Sequence, residues 1–200
     1  MILAIEAAVA GGSLSLLSEG STIAAWAGDS NVSRAEELLP AIATMMAETK
    51  FSKADISMIA VAAGPGSFTG IRIGLSTALG LAAGLAVAHA SVSLLEAMAG
   101  AVPAGGPCLV AIPMGRSSIC IQHFEKGSPT SEPQTITEPE FTNITSRSSK
   151  TIVIHEALAM HCVDAGDVVN LGSNLSQFVG VFSTAHPSHT EDPLFITKSF

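Results

Sequence analysis

The first thirty positions alternate between apolar blocks and glycine-marked breaks. Ile2-Leu3-Ala4-Ile5 is a short apolar run, Gly11-Gly12 leads into Ser13-Leu14-Ser15-Leu16, and Glu19-Gly20 precedes Ile23-Ala24-Ala25-Trp26. A period of two sends successive side chains to opposite faces of a strand, so three strands joined by tight turns are predicted. The pattern then becomes helical. Leu38, Leu39, Ile42, Met45 and Met46 recur at spacings of three and four, with Ser33 or its neighbour as cap and an end near Lys50. Met58 to Ala63 is a continuous apolar run of strand length, as in a central strand covered on both faces. It feeds Gly64-Pro65-Gly66-Ser67-Phe68-Thr69-Gly70 and then a buried helix over 71–87.

A short helix is predicted near Leu94 to Ala101, followed by Val102-Pro103-Ala104-Gly105-Gly106-Pro107 as the one convincing linker. It divides the chain into an N-terminal α/β lobe of residues 1–102 and a smaller C-terminal α/β lobe of residues 103–200. In the second lobe, Cys108 to Ile112 and Ser118 to Phe124 read as strands, Lys126 to Pro129 as a turn, and Thr130 to Thr137 as a loop or edge strand. A short helix over Pro139 to Ser146, a strand at Thr151 to Ile154, and helical segments at 155–165 and 174–184 follow. The order strands, helix, strand, helix thus occurs twice, which points to two related lobes of an α/β fold packed together.

Composition narrows the function classes. The chain has 200 residues, 48% of them hydrophobic, enough for a sizeable core. Nine basic against 17 acidic residues give a net charge of −8, so the overall field of this chain does not attract nucleic acid. Contact with a nucleic acid would need a partner's basic surface. Only 13% of residues are charged and there is no Tyr, so much of the surface must be Ala, Ser, Gly and Thr, or be covered by another protein. Cys108, Cys120 and Cys162 are odd in number and lack C-x-x-C spacing, which fits free buried thiols in a reducing, cytoplasmic setting. Ile73 to Ala88 is apolar but interrupted by Ser76, Thr77 and three glycines, and it falls short of a bilayer span, so no membrane is expected.

The glycine run between a buried strand and a helix carries the most chemistry. Glycines there let the backbone approach another group closely, and a helix N-terminus presents N–H groups and a positive dipole end. One reading is a phosphate or nucleotide loop formed by Glu6, Gly64, Gly66, Ser67, Thr69 and Gly70, taking ATP or ADP, with Glu6 reaching Mg²⁺ through water. The other is that the glycines only permit a sharp turn and close packing. No Lys follows the loop, so it is not a P-loop, and Ser67 does not sit in a Gly-x-Ser-x-Gly elbow. His155 and His161 are six apart and off a common helix face, and His186 and His189 sit in a C-terminal loop with no Cys or carboxylate to complete a metal set. No catalytic residue, metal site or obligatory cofactor is assigned. A partner face is expected from Leu38, Leu39, Ile42 and Met45 on the first helix with Ile71, Leu75 and Leu79 on the second. The second helix also carries Gly80 with Gly84 and Ala78 with Ala82 at a spacing that lets helix backbones come close.

Gly64 to Gly74, GPGSFTGIRIG, resembles the signature of the bacterial TsaB (YeaZ) family almost residue for residue. The opening hairpin, Glu36-Glu37-Leu38-Leu39-Pro40 and Val92 to Ala99 resemble that family too. The resemblance implies a two-lobed fold similar to actin, Hsp70 and sugar kinases (ribonuclease H-like), with a divergent second lobe. It also implies a non-catalytic scaffold in making N6-threonylcarbamoyladenosine in tRNA. Its partners would be the catalytic paralogue TsaD and the ATPase TsaE, with a homodimer when alone and tRNA met only through the complex. The chain departs from the family where Asp-Thr-Ser is usual and Glu6-Ala7-Ala8 stands, and where Arg34-Ala35-Glu36 replaces His-Ser-Glu. Leu79 replaces a usual Lys, Pro113-Met114-Gly115 replaces Asp-Ala-Arg, and Phe195 and Thr197 stand for a closing Tyr and Arg. The rival expectation is a nucleotide-binding ATPase or phosphotransferase, which the two missing hydroxyls beside Glu6 disfavour.

Overall fold

The computed structural model describes residues 1–102, 105–115 and 117–186. Pro103 and Ala104 of the linker, His189, Phe195 and Thr197 lie outside the described residues. The first sheet begins with β1 (Ile2–Glu6), β2 (Ser13–Ser18) and β3 (Ser21–Ala27), an antiparallel meander at the positions the alternation predicts. Next come α1 (Arg34–Glu48), β4 (Met58–Ala62), α2 (Phe68–Leu85) and β5 (Ala88–Val92). Strand order is β3-β2-β1-β4-β5, with β1, β4 and β5 parallel. All five residues of β4 are buried, as a strand with helices on both faces requires.

After the short α3 (Leu94–Ala99), the second sheet uses β6 (Cys108–Gly115), β7 (Ser118–Glu125), β8 (Ser128–Pro129) and β9 (Gln134–Thr137). It continues through α4 (Glu138–Thr145), β10 (Thr151–Ile154), a 3-10 helix (Glu156–Cys162) and β11 (Val168–Asn170), and the described chain closes with α5 (Ser176–Ala185). Its order is β11-β10-β6-β7-β8, with β9 also on β7 and with β6, β10 and β11 parallel. Both sheets therefore have a central strand with an antiparallel mate on one side and two parallel strands on the other, the duplication the element order suggested.

Several elements differ from the sequence pattern for physical reasons. α2 starts at Phe68 rather than at 71, because the Ser67 side chain accepts a hydrogen bond from the Gly70 N–H and caps the helix. Ser128 and Pro129 pair with β7 rather than forming only a turn. The helix predicted over 155–165 is a 3-10 helix over Glu156–Cys162. The outer parallel strands β5 and β11 carried no strand signal, since Ala-His-Ala-Ser-Val is weakly β-forming and Val-Val-Asn is only three residues.

Three apolar layers hold these elements together. α1 and α2 cover the outer face of the first sheet, with Leu38, Ile42, Met45, Ile59, Ala78 and Ala82 in one cluster. Phe141 of α4 and Leu158 of the 3-10 helix cover the outer face of the second, with Leu109, Ile119 and Ile152. The inner faces share a cluster that joins Ala4, Leu17, Ala60 and Val92 to Val110, Cys120, Phe124 and Val153, with Leu95, Met98 and Val179 between them. α5 follows the second sheet in sequence but packs on β1, β2, β4 and β5, while α3 lies against β6. Gly180 makes the first of these contacts feasible, because a Cβ there would collide with the Leu17 side chain.

Candidate functional site

A cleft of about 1080 Å³ opens between the two sheets, where β1 and β4 end on one side and β6, β9 and β10 on the other. Gly66, Ser67 and Thr69 line it, but Glu6, Gly64 and Gly70 do not. The glycine run is clasped by the segment after β1. The Ser67 N–H donates to the Ala8 carbonyl at 2.7 Å, and a Cβ on Gly66 would stand 2.5 Å from the Ala8 Cβ and carbonyl oxygen. At Gly70 a Cβ would collide with the Ala7 carbonyl and lie 2.8 Å from an Arg34 Nη. Glycine is thus required at both positions by the protein's own packing.

Glu6 is buried beneath the cleft floor, 1% exposed, with Oε1 accepting the Val9 N–H at 2.8 Å. Burial pushes its carboxyl up to about 7, against the opposing pull of hydrogen bonds from the Val9 and Ala8 backbone and of the Arg34 charge. Among the described residues no group of three His, Cys, Asp or Glu side chains gathers to hold a metal ion. His155 stands on the opposite wall of the cleft and caps the 3-10 helix, its Nδ1 accepting the Ala157 N–H at 3.1 Å. Burial holds its pKa below the usual imidazole value. Arg34 and His155 were not among the site residues picked out by sequence; they are 121 positions apart, and only the fold puts them on one cleft.

The expected partner face divides in two. Leu38, Ile42, Met45 and Ile71 are buried in the apolar layers and are not available to a partner, because the same helical periodicity that marked them is the periodicity of a core-facing stripe. Leu39 and Leu79 point outward at 55% and 47% exposure, and Leu75 is half-buried. Phe68, which the sequence placed in the loop, joins them at 55% exposure, with the Arg72 guanidinium 4.9 Å from its ring centroid. Ala35, Phe68, Arg72 and Ile73 border a groove of about 440 Å³ beside α1 and α2. The two small-residue pairs on α2 also separate. Ala78 and Ala82 pack on the sheet, whereas a Cβ on Gly80 or Gly84 would meet nothing within 4 Å among the described residues. α2 is long and apolar enough to cross a membrane, yet its Gly70, Ile71, Gly74, Ala78 and Ala82 face is buried in this fold.

The chain is similar along residues 31–157 to a family described as TsaD, tRNA N6-adenosine threonylcarbamoyltransferase. It is 35% identical over 98 residues to the tRNA threonylcarbamoyladenosine biosynthesis protein TsaB of Bacillus subtilis (strain 168), a match covering 49% of this chain and 43% of that protein. With TsaB of Escherichia coli (strain K12) it shares 37% over 98 residues, 49% of this chain and 42% of that one. The matched stretch is therefore less than half the length of these curated relatives. Among solved structures, YeaZ from Pseudomonas aeruginosa superposes with a TM-score of 0.68 at 17% identity, covering 98% of this chain and 99% of that one. The inorganic polyphosphate/ATP-glucomannokinase of Arthrobacter sp. strain KM follows at a TM-score of 0.56 and 11% identity, with 93% and 98% covered. These superpositions show the two-lobed actin-like α/β fold. With a family match over more than half of its residues and TsaB relatives matching about half of it, the chain belongs to the TsaD family of threonylcarbamoyltransferase-related proteins, in the TsaB (YeaZ) branch.

Proposed function

We propose that this protein serves tRNA N6-threonylcarbamoyladenosine biosynthesis in the cytosol as a non-catalytic subunit, docking the catalytic paralogue through the outer face of α1 and α2. The observation that carries this reading is Gly80 in the body of α2, with Gly84 one turn further on at the helix end. Glycine inside a helix costs about 1 kcal/mol relative to alanine, which applies to Gly80, and among the described residues nothing packs against Gly80 or Gly84 to need the space. A bare helix backbone beside the exposed Leu79 suits close approach by another helix. Such a partner would be ordered by differential binding, with no chemistry required on this chain. TsaE would join the resulting pair, tRNA would be met through the complex, and the same face would serve a homodimer in the partner's absence. The rival reading as a nucleotide-binding ATPase or phosphotransferase needs a carboxylate offered to a metal ion, and Glu6 is instead turned onto the Val9 N–H.

Light scattering behind size exclusion, on this protein alone and mixed with the TsaD homologue of the same cell, tests the proposal. A one-to-one complex that is lost in Leu79→Glu, with the isolated variant folded, is expected. No association in the presence of TsaE and nucleotide, or a complex indifferent to Leu79→Glu and Leu39→Glu, would overturn it.

A further inference from the structure

One stripe of α2 runs along the outside of the protein. Phe68, Arg72, Ser76, Leu79 and Ala83 follow one another at spacings of four, four, three and four, and all five are exposed, with Gly80 and Gly84 alongside. Arg72 is the one charged residue of this helix. Its guanidinium lies 4.9 Å from the centroid of the Phe68 ring, and among the described residues no carboxylate pairs with it. A cation and a large aromatic ring are thus held together at the surface, beside the groove that Ala35, Ile73 and Thr77 also line. Arginine and aromatic side chains are the groups that most often dominate binding at the centre of an interface. A guanidinium covered by a partner must find an acceptor there, because burying a charge without one is strongly unfavourable.

We infer that Arg72, stacked on Phe68, is the specificity anchor of the docking face, and that its partner is a helix of the catalytic paralogue presenting an Asp or Glu to it. The inference rests on the assembly reading above and adds the chemistry of the surface that fits it. The carboxylate must come from outside α2, which has no acid, and pairing α2 with the α2 of a second copy leaves both guanidiniums without an acceptor. Charge complementarity therefore favours an unlike helix over a copy. The guanidinium's planar fork can donate two parallel N–H bonds to one carboxylate while its face stays on the ring. Spacing sets the rest of the pattern. Gly80, where helix backbones can come close, is eight residues beyond Arg72, about 12 Å along the axis. A partner helix packed along α2 thus carries a small residue at the close approach and a carboxylate about two turns away, at the Phe68 end.

The test is isothermal titration of the full chain against the TsaD homologue of the same cell, at about 50 mM and about 300 mM salt. Wild-type affinity should fall as salt rises. Arg72→Met should weaken binding about tenfold at the lower salt and flatten the salt dependence. Arg72→Lys, which keeps the charge and loses the fork, should restore part of the affinity and most of the salt dependence. Phe68→Leu should cost severalfold and leave the salt dependence in place. Lys126→Met, which removes the same charge between β7 and β8, should change neither. A complex that loses no more affinity to Arg72→Met than to Lys126→Met overturns the anchor, while the docking face still stands or falls by Leu79→Glu. No complex with the wild-type chain overturns both. Thermal melts matching the wild type show that a loss is not unfolding, and if a variant melts early the wild-type salt dependence decides alone, its absence overturning the anchor.

Discussion

The hydroxyls of Ser15 and Ser176 meet at 2.8 Å across 161 positions of sequence. Ser15 lies on β2 of the first sheet, and Ser176 opens α5 after the whole second sheet. Asn174 Oδ1 accepts from both hydroxyls, at 3.2 and 2.7 Å, and the Ser176 N–H donates to Ser13 Oγ at 3.0 Å. This buried network places the start of α5 on the inner face of the first sheet. Removing one partner leaves others unsatisfied in a dry setting, so Ser15→Ala should cost about 1–3 kcal/mol in a urea titration. An unchanged midpoint would mean that water replaces the hydroxyl.

The same crossing bears on whether the first lobe stands alone. A fragment of residues 1–102 would keep β1 to β5 but lose Leu175 and Val179, exposing Ala4, Leu17, Ala60 and Val92. It is expected to express as an aggregating or loosely packed species, seen as broad amide resonances and dye binding. Adding residues 108–186 in trans should restore sharp resonances if the crossing is what completes the sheet.

Glu6 should set a pH dependence. Its folded-state pKa of about 7 lies above its ordinary value of 4.5, so the folded chain holds this proton more tightly than the unfolded chain. Stability from this group is full below about 4.5, falls as pH rises through the window up to about 7, and stays low above it. Glu6→Gln should therefore match the parent in acid and exceed it by a few kcal/mol, on the order of 3, at about pH 8. Thermal melts of both proteins across that range read the difference directly; parallel curves would show that the carboxylate is better solvated than its burial implies.

Gly80→Ala separates a folding role from a docking role. A methyl at this position meets nothing within 4 Å among the described residues, and helix propensity predicts a gain of about 1 kcal/mol for the isolated chain. If the bare backbone is where another helix approaches, the more stable variant should bind its partner more weakly. A variant that gains stability and binds as before would remove α2 from the interface.

Much of this architecture is legible in local pattern. The period-two alternation of Ser13 to Leu16, the unbroken run Met58 to Ala62 and the spacing of Leu38, Ile42 and Met45 each report which side of an element is dry. The Gly64 to Gly74 run also carried most of the family resemblance. Periodicity, however, reports a buried face without saying what buries it, which is why Leu38 and Leu79 looked alike until one was found in the core and the other on the surface. The glycines of the loop posed the same problem: their freedom is visible in sequence, but whether a ligand or the Ala7-Ala8 backbone occupies the space depends on where the end of β1 lies.

By itself, then, the sequence determined most of the strands and helices, though not β5 or β11, the doubled α/β order and the family, because these depend on contacts within a few turns of chain or on a contiguous motif. Only the tertiary structure decided that α5 completes the first sheet, that Glu6 faces inward, and that Arg34 and His155 share one cleft. Those relations join residues far apart in the chain, and their energies come from desolvation and close packing, which exist only once both surfaces are in place.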